Sequence, residues 1–189
     1  IYNGKIENKK LLVKILNDSN KLKKPIHGLV NNAGMRFRKK FLDINKKEIN
    51  KVFEVNFFAV FSIIQIFSKY LIKNRIKGSI VNIASIVGQI GFNELSAYGS
   101  TKGALISLTK CLSLELSEYG IRVNSISPGF TKTSFYKNFK KNKKNLYSWT
   151  LNKIPLKRWG EPSEIGNLIT FILSDQSNYI NGENINIDG

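Results

Sequence analysis

The chain has 189 residues, 42% of them hydrophobic, a length that suits one domain with a substantial core. Its lone cysteine, Cys111, excludes an internal disulfide framework and points to a reducing, cytoplasmic setting, and no uninterrupted apolar run reaches the roughly 20 residues of a membrane span. The net charge of +17 comes from lysines spread through most polar segments rather than one basic face, a distribution that argues against a nucleic-acid-binding surface.

In chain order, residues 11–22 carry helical periodicity through Leu11, Leu12, Ile15 and Leu16, and Pro25 stops that helix. Residues 26–30 predict a short strand, broken by Asn31-Asn32-Ala33-Gly34. Asp43 reads as the N-cap of a helix over residues 45–73 with an apolar stripe through Ile49, Val52, Phe53, Phe57, Val60 and Ile64. A β-branched run at 79–84 predicts a second strand ending at Ser85. Residues 97–119 predict a helix terminated by Gly120, with Cys111 packed on its apolar face. A third strand is expected at 122–127 and a last one at 184–187, with a helix opening at Pro162 and running to about residue 174. The stretch from Pro128 to about Lys153 reads as irregular or weakly helical. Its dense lysines and scarcity of apolar anchors predict a mobile lid over 131–154. His27 has no metal-ligand partner, and no His/Cys/carboxylate cluster suggests a metal.

Strands alternating with helices imply parallel βαβ units, with ligands at the carboxyl ends of the strands. Asn31-Asn32, Ser85 and Pro128-Gly129 all fall at such ends, which suggests one shared cleft. Tyr98-Gly-Ser-Thr-Lys102 opens the helix that follows Ser85. Residues four apart share a helix face, so phenol and ammonium point the same way, and a nearby positive charge is expected to lower the phenol's pKa. A tyrosine so placed can act as a general acid or base, with Ser85 holding a carbonyl oxygen beside it.

These motifs together resemble the classical short-chain dehydrogenase/reductase family over essentially the whole chain. The resemblance is to its 3-oxoacyl-[acyl-carrier-protein] reductases and to its sugar and polyol dehydrogenases. It implies an α/β fold, a Rossmann-type doubly wound parallel sheet, and a cofactor that is NADP or NAD. It implies catalytic roles for Asn56, Ser85, Tyr98 and Lys102, with Asn56 holding a water in a relay to the lysine. Cofactor contacts would come from Asn32, Ala33, Gly34, Tyr98, Lys102, Pro128, Gly129, Thr131 and Thr133. The substrate would be a small-molecule or acyl-carrier-protein-linked carbonyl, and the assembly a homodimer or homotetramer. Alternatives are a sugar, polyol or nucleotide-sugar dehydrogenase, and a catalytically silent binding protein on the same fold. No glycine-rich phosphate loop is visible; Gly88 and Gly91 follow the wrong strand. The chain therefore reads as a single-domain fragment that lacks the family's first βαβα segment.

Overall fold

Four parallel strands, β1 (Gly28–Asn31), β2 (Gly78–Ile83), β3 (Ile121–Pro128) and β4 (Asn184–Ile187), form one sheet in that order. The computed structural model describes residues 2, 4, 8–134 and 136–189. Side chains alternate across a strand, so neighbours in sequence serve opposite cores. Ile80 and Val123, paired in register, face a cluster with Leu16, Ile64, Phe67, Leu71 and Leu105. Val81 and Ile126 face the other way, onto Ile172. The first face is covered by α1 (Lys9–Lys21), α3 (Ala59–Asn74) and α4 (Ser96–Glu115), and the second by α7 (Pro162–Leu173). Helices on both faces bury the middle strands β2 and β3 from both sides. Arg122 on β3 closes the carboxyl end of α7 by donating to the carbonyls of Ile172 and Ser174.

Several sequence expectations need correction. The cap at the start of α2 (Lys46–Phe53) is Asn45, not Asp43: its side chain accepts from the Glu48 N–H while Glu48 accepts from the Asn45 N–H. Asp43 lies in a preceding 3₁₀ turn, Phe41–Asp43. Cys111 is exposed, because α4 buries the stripe Leu105, Thr109 and Ser113 and Cys111 falls off it. The stretch read as irregular or weakly helical contains two helices, α5 (Tyr136–Asn142) and α6 (Lys144–Lys153). It also carries the anchors that its lysines obscured. Tyr136, Phe139 and Tyr147 all pack on the fully buried Trp159, at ring-centroid distances of 5.2, 5.2 and 5.6 Å. Finally, the continuous helix Lys46–Asn74 is long and apolar enough, by length and composition, to cross a membrane. Gln65 and Lys69 interrupt its apolar run in sequence, and Val60, Ile64, Phe67 and Leu71 are buried against the sheet.

Candidate active site

The carboxyl ends of β1, β2 and β3 open into one cleft of about 600 Å³, as the strand-end motifs predicted. Asn32, Gly34, Ser85, Tyr98, Lys102, Pro128, Gly129, Thr131 and Thr133 line it; Ala33 and Asn56 do not. Ala33 is exposed between two lining neighbours. Asn56 lies just behind the wall.

Ser85 reaches its place because β2 stops into a short 3₁₀ turn, Ile86–Gly88, which the Ser85 hydroxyl caps by accepting from the Val87 N–H at 3.2 Å. That turn lies directly on α4. A Cβ on Gly88 would come within 2.8 Å of the Gly103 nitrogen and of the Lys102 carbonyl carbon. The missing side chain thus lets the serine loop touch the helix that carries Tyr98 and Lys102. The Ser85 hydroxyl lies near enough to the Tyr98 phenol to favour its ionised form.

Burial raises the phenol's pKa above its ordinary value, and the neighbouring Ser85 hydroxyl and the positive charge of Arg36 only partly oppose the rise. The expected net lowering by Lys102 is therefore not found. Lys102 stands one turn along, its ammonium 5.8 Å from the Tyr98 ring centre, and it is itself desolvated. It is 4% exposed, and burial drives its pKa down to about 8. Its Nζ donates to the Ile83 carbonyl at 2.6 Å. An ammonium has three donors, so a buried one with a single protein acceptor is short of partners. This chemistry fits the paired hydroxyls of a ribose, and Gly34 leaves an open approach to it. A Cβ on Gly34 would lie 3.6 Å from the Lys102 Nζ and 3.5 Å from the Asn56 Oδ1.

Asn56 is 1% exposed, at the centre of a widened helical stretch, Glu54–Phe58, where the Ala59 N–H bonds back to the Glu54 carbonyl. Such i→i+5 turns rotate one residue out of the regular helical register. Here the Asn56 amide accepts from the Met35 N–H at 2.6 Å, donates to the Met35 carbonyl at 2.9 Å, and donates to Thr101 at 3.2 Å. It thus ties the loop after β1 to α4. Thr131 sits where the strand-exit segment bridges to Gly160, and its hydroxyl donates to the Gly129 carbonyl at 3.3 Å. Gly129 is needed because a Cβ there would fall 2.7 Å from the Asp188 Cβ.

Sequence reasoning missed the rest of the wall. Arg36 and Arg38 line the cleft together with Phe92, Leu95, Phe130, Leu146 and Trp149. Arg38 pairs with Glu94 at 2.7 Å. The signal for Arg36 was its place two residues beyond Gly34, on a strand-exit loop already assigned to the cleft.

A cleft at strand carboxyl ends, with serine, tyrosine and a buried lysine converging on it, defines a class. The family profile described as "Enoyl-(Acyl carrier protein) reductase" matches residues 2–189. The chain is 33% identical over 165 residues to 5-keto-D-gluconate 5-reductase of Escherichia coli (strain K12), spanning 87% of this chain and 64% of that protein. It is 37% identical over 161 residues to 3-oxoacyl-[acyl-carrier-protein] reductase of Thermotoga maritima, spanning 85% and 64%. The solved structure of 4-hydroxyisoleucine dehydrogenase complexed with NADH superposes with a TM-score of 0.90 at 34% identity, covering 100% of this chain and 77% of that one. The chain belongs to the short-chain dehydrogenase/reductase family. It spans slightly under two thirds of the length of the two curated relatives.

Proposed function

We propose that this chain carries the catalytic part of an NAD- or NADP-dependent oxidoreductase that reduces a ketone to a secondary alcohol. The observation that carries the reading is the convergence of Ser85 and Tyr98 on one cleft, close enough to interact, with a buried and under-partnered lysine one helical turn away. The dinucleotide, when bound, supplies the hydride. The chain's own residues do the rest. Ser85 and Tyr98 hold the carbonyl oxygen between two hydroxyls, and Tyr98 donates its proton to that oxygen as negative charge develops there. A phenol with a raised pKa stays protonated at neutral pH, the form a reductase needs. Lys102 holds the ribose hydroxyls, and its positive charge favours the phenolate left behind. Asn32, Gly34, Pro128, Gly129, Thr131 and Thr133 shape the nicotinamide side of the cleft. Tyr98→Phe is expected to lower kcat by roughly 10²–10⁴-fold or more while leaving dinucleotide affinity nearly unchanged. Near-normal turnover would overturn the assignment.

Two substrate readings have support. A 3-oxoacyl thioester on an acyl carrier protein is supported by the Thermotoga maritima relative and by the lysines of α5 and α6, an electrostatic lure for an acidic carrier. A sugar acid is supported by the Escherichia coli relative and by the arginine in the cleft wall. Self-association as a homodimer or homotetramer is supported by Phe58, Phe61 and Leu114, large apolar side chains exposed on the helices flanking the site.

A further inference from the structure

We infer that the substituent on the substrate side of the reacting carbonyl is apolar, an alkyl chain or a ring, and that it packs into an aromatic corner of the cleft where Trp149 sets the specificity. This rests on the reading of Tyr98 as the proton donor to a carbonyl.

The corner is built on the segments that carry the reacting hydroxyls. Phe92 follows Ser85 along the loop after β2, Phe130 follows Gly129 at the exit of β3, and Leu95 precedes Tyr98 by three residues as α4 begins. Positions three and four apart share a helix face, so Leu95, Tyr98 and Lys102 fall in one row. At a rise of about 1.5 Å per residue, Leu95 stands about 4.5 Å to one side of Tyr98 and Lys102 about 6 Å to the other. Lys102 marks the side assigned to the ribose. A substituent directed away from the dinucleotide along this row reaches Leu95.

Around Leu95 the wall is carbon. Phe92 meets both Phe130 and Trp149 at nearly right angles, with ring centres 6.2 and 6.4 Å apart. Leu146 and Trp149 lie three residues apart on α6 and so present one face to the cleft. Trp149 is 43% exposed there, leaving indole surface that an apolar group would remove from water. The corner is also pre-set. The buried Trp159 packs on Phe130 and Tyr147 at 5.2 and 5.6 Å, and its indole N–H donates to Thr150 at 2.8 Å. Tyr147 and Thr150 bracket Trp149 in α6, so its backbone is held on both sides and little freedom is lost on binding. The Lys153 ammonium steadies the indole from 6.0 Å above its ring centre.

A hydroxylated substituent finds little here. The Thr150 hydroxyl already donates to the Tyr147 carbonyl at 2.6 Å and accepts from Trp159, and the Thr131 hydroxyl donates to the Gly129 carbonyl. Asn93 stays exposed to water, and Arg38 is engaged by Glu94 beside Leu95. Sugar hydroxyls pressed against these rings would give up water without replacement partners.

The test measures kcat/KM on the protein, with NADPH and with NADH, for methyl 3-oxobutanoate, methyl 3-oxohexanoate and 5-keto-D-gluconate. Two added methylenes should raise kcat/KM about 10-fold, at about three- to four-fold per buried methylene, and 5-keto-D-gluconate should fall below both esters. Trp149→Ala should cut the ratio between the esters to about three-fold or less, and Trp149→Phe should keep most of it. A second readout needs no turnover. Ligand-observed NMR should show methyl hexanoate, which has no ketone, binding about 10-fold more tightly than methyl butanoate, with the difference largely erased in Trp149→Ala. A wild-type ratio near one, a ratio that Trp149→Ala leaves intact, or a preference for 5-keto-D-gluconate would each overturn the inference. Length-dependent binding of the plain esters that requires Trp149, without reduction of any ketone, would uphold the corner and overturn the carbonyl-reductase reading instead.

Discussion

Lys102 gives the sharpest physical test, because its burial is costly and the cost is set by pH. Its pKa falls from 10.5 to about 8 in the folded protein. At about 1.4 kcal/mol per unit, the fold disfavours the ammonium by about 3 kcal/mol relative to the unfolded chain. The sign follows from proton counts. Between pH 8 and 10.5 the unfolded chain holds the proton and the folded one has released it, so stability rises with pH through that window. The gain is complete above pH 10.5 and is lost as pH falls through about 8. Lys102→Met removes the titrating group. It also frees the Ile83 carbonyl from its 2.6 Å hydrogen bond, a loss of about 1–3 kcal/mol. The variant should therefore match or exceed the wild type at pH 7, by up to about 2 kcal/mol. Its advantage should shrink by about 3 kcal/mol as pH approaches 10.5. The assay is urea denaturation of both proteins without cofactor, at pH 7 and pH 10 and equal concentration. If the stability difference between them does not change with pH, Lys102 is not a desolvated ammonium and the reasoning fails.

Gly88→Ala should push the serine turn off α4, because the new methyl meets backbone at 2.8 Å; we expect a loss of about 1–3 kcal/mol and a fall in kcat larger than any rise in KM for the dinucleotide. Trp159→Ala removes a fully buried indole and its 2.8 Å hydrogen bond to Thr150, and should destabilise by about 3–5 kcal/mol in chemical denaturation. Replacing Lys140, Lys141, Lys143 and Lys144 with neutral residues should raise KM for a carrier-linked substrate and scarcely affect a free ketone; equal effects on both would rule out carrier docking there. Light scattering at micromolar concentration should report an oligomer, and Phe61→Lys should shift it toward monomer.

Much of this site was legible because short motifs fell at strand ends. Pattern alone placed Asn32, Ser85, Tyr98 and Pro128 at one rim, and the structure puts them there. What sequence could not give was set by packing at a distance. Asn56 lies at the centre of a widened turn that no period predicts, and its partners are a backbone 21 residues earlier and a threonine 45 later. The phenol's raised pKa was misjudged for a related reason. Adjacency of Tyr98 and Lys102 in a helix is visible in sequence, whereas the desolvation that outweighs charge depends on everything folded around them. The aromatic anchoring of α5 and α6 was hidden in the same way, because Trp159 lies beyond these lysine-rich helices and joins them only in space.

The clamp on Met35 also bears on how such a cleft can change. Asn56 grips main-chain atoms and leaves the identity of neighbouring side chains open. The residue after the clamp is held in the cleft wall whatever it is, by a grip that the same amide anchors to Thr101 on α4. One exchange at position 36 can therefore alter the cleft wall without disturbing serine, tyrosine or lysine. The variable wall and the fixed side chains behind it are separable here, joined through a single amide.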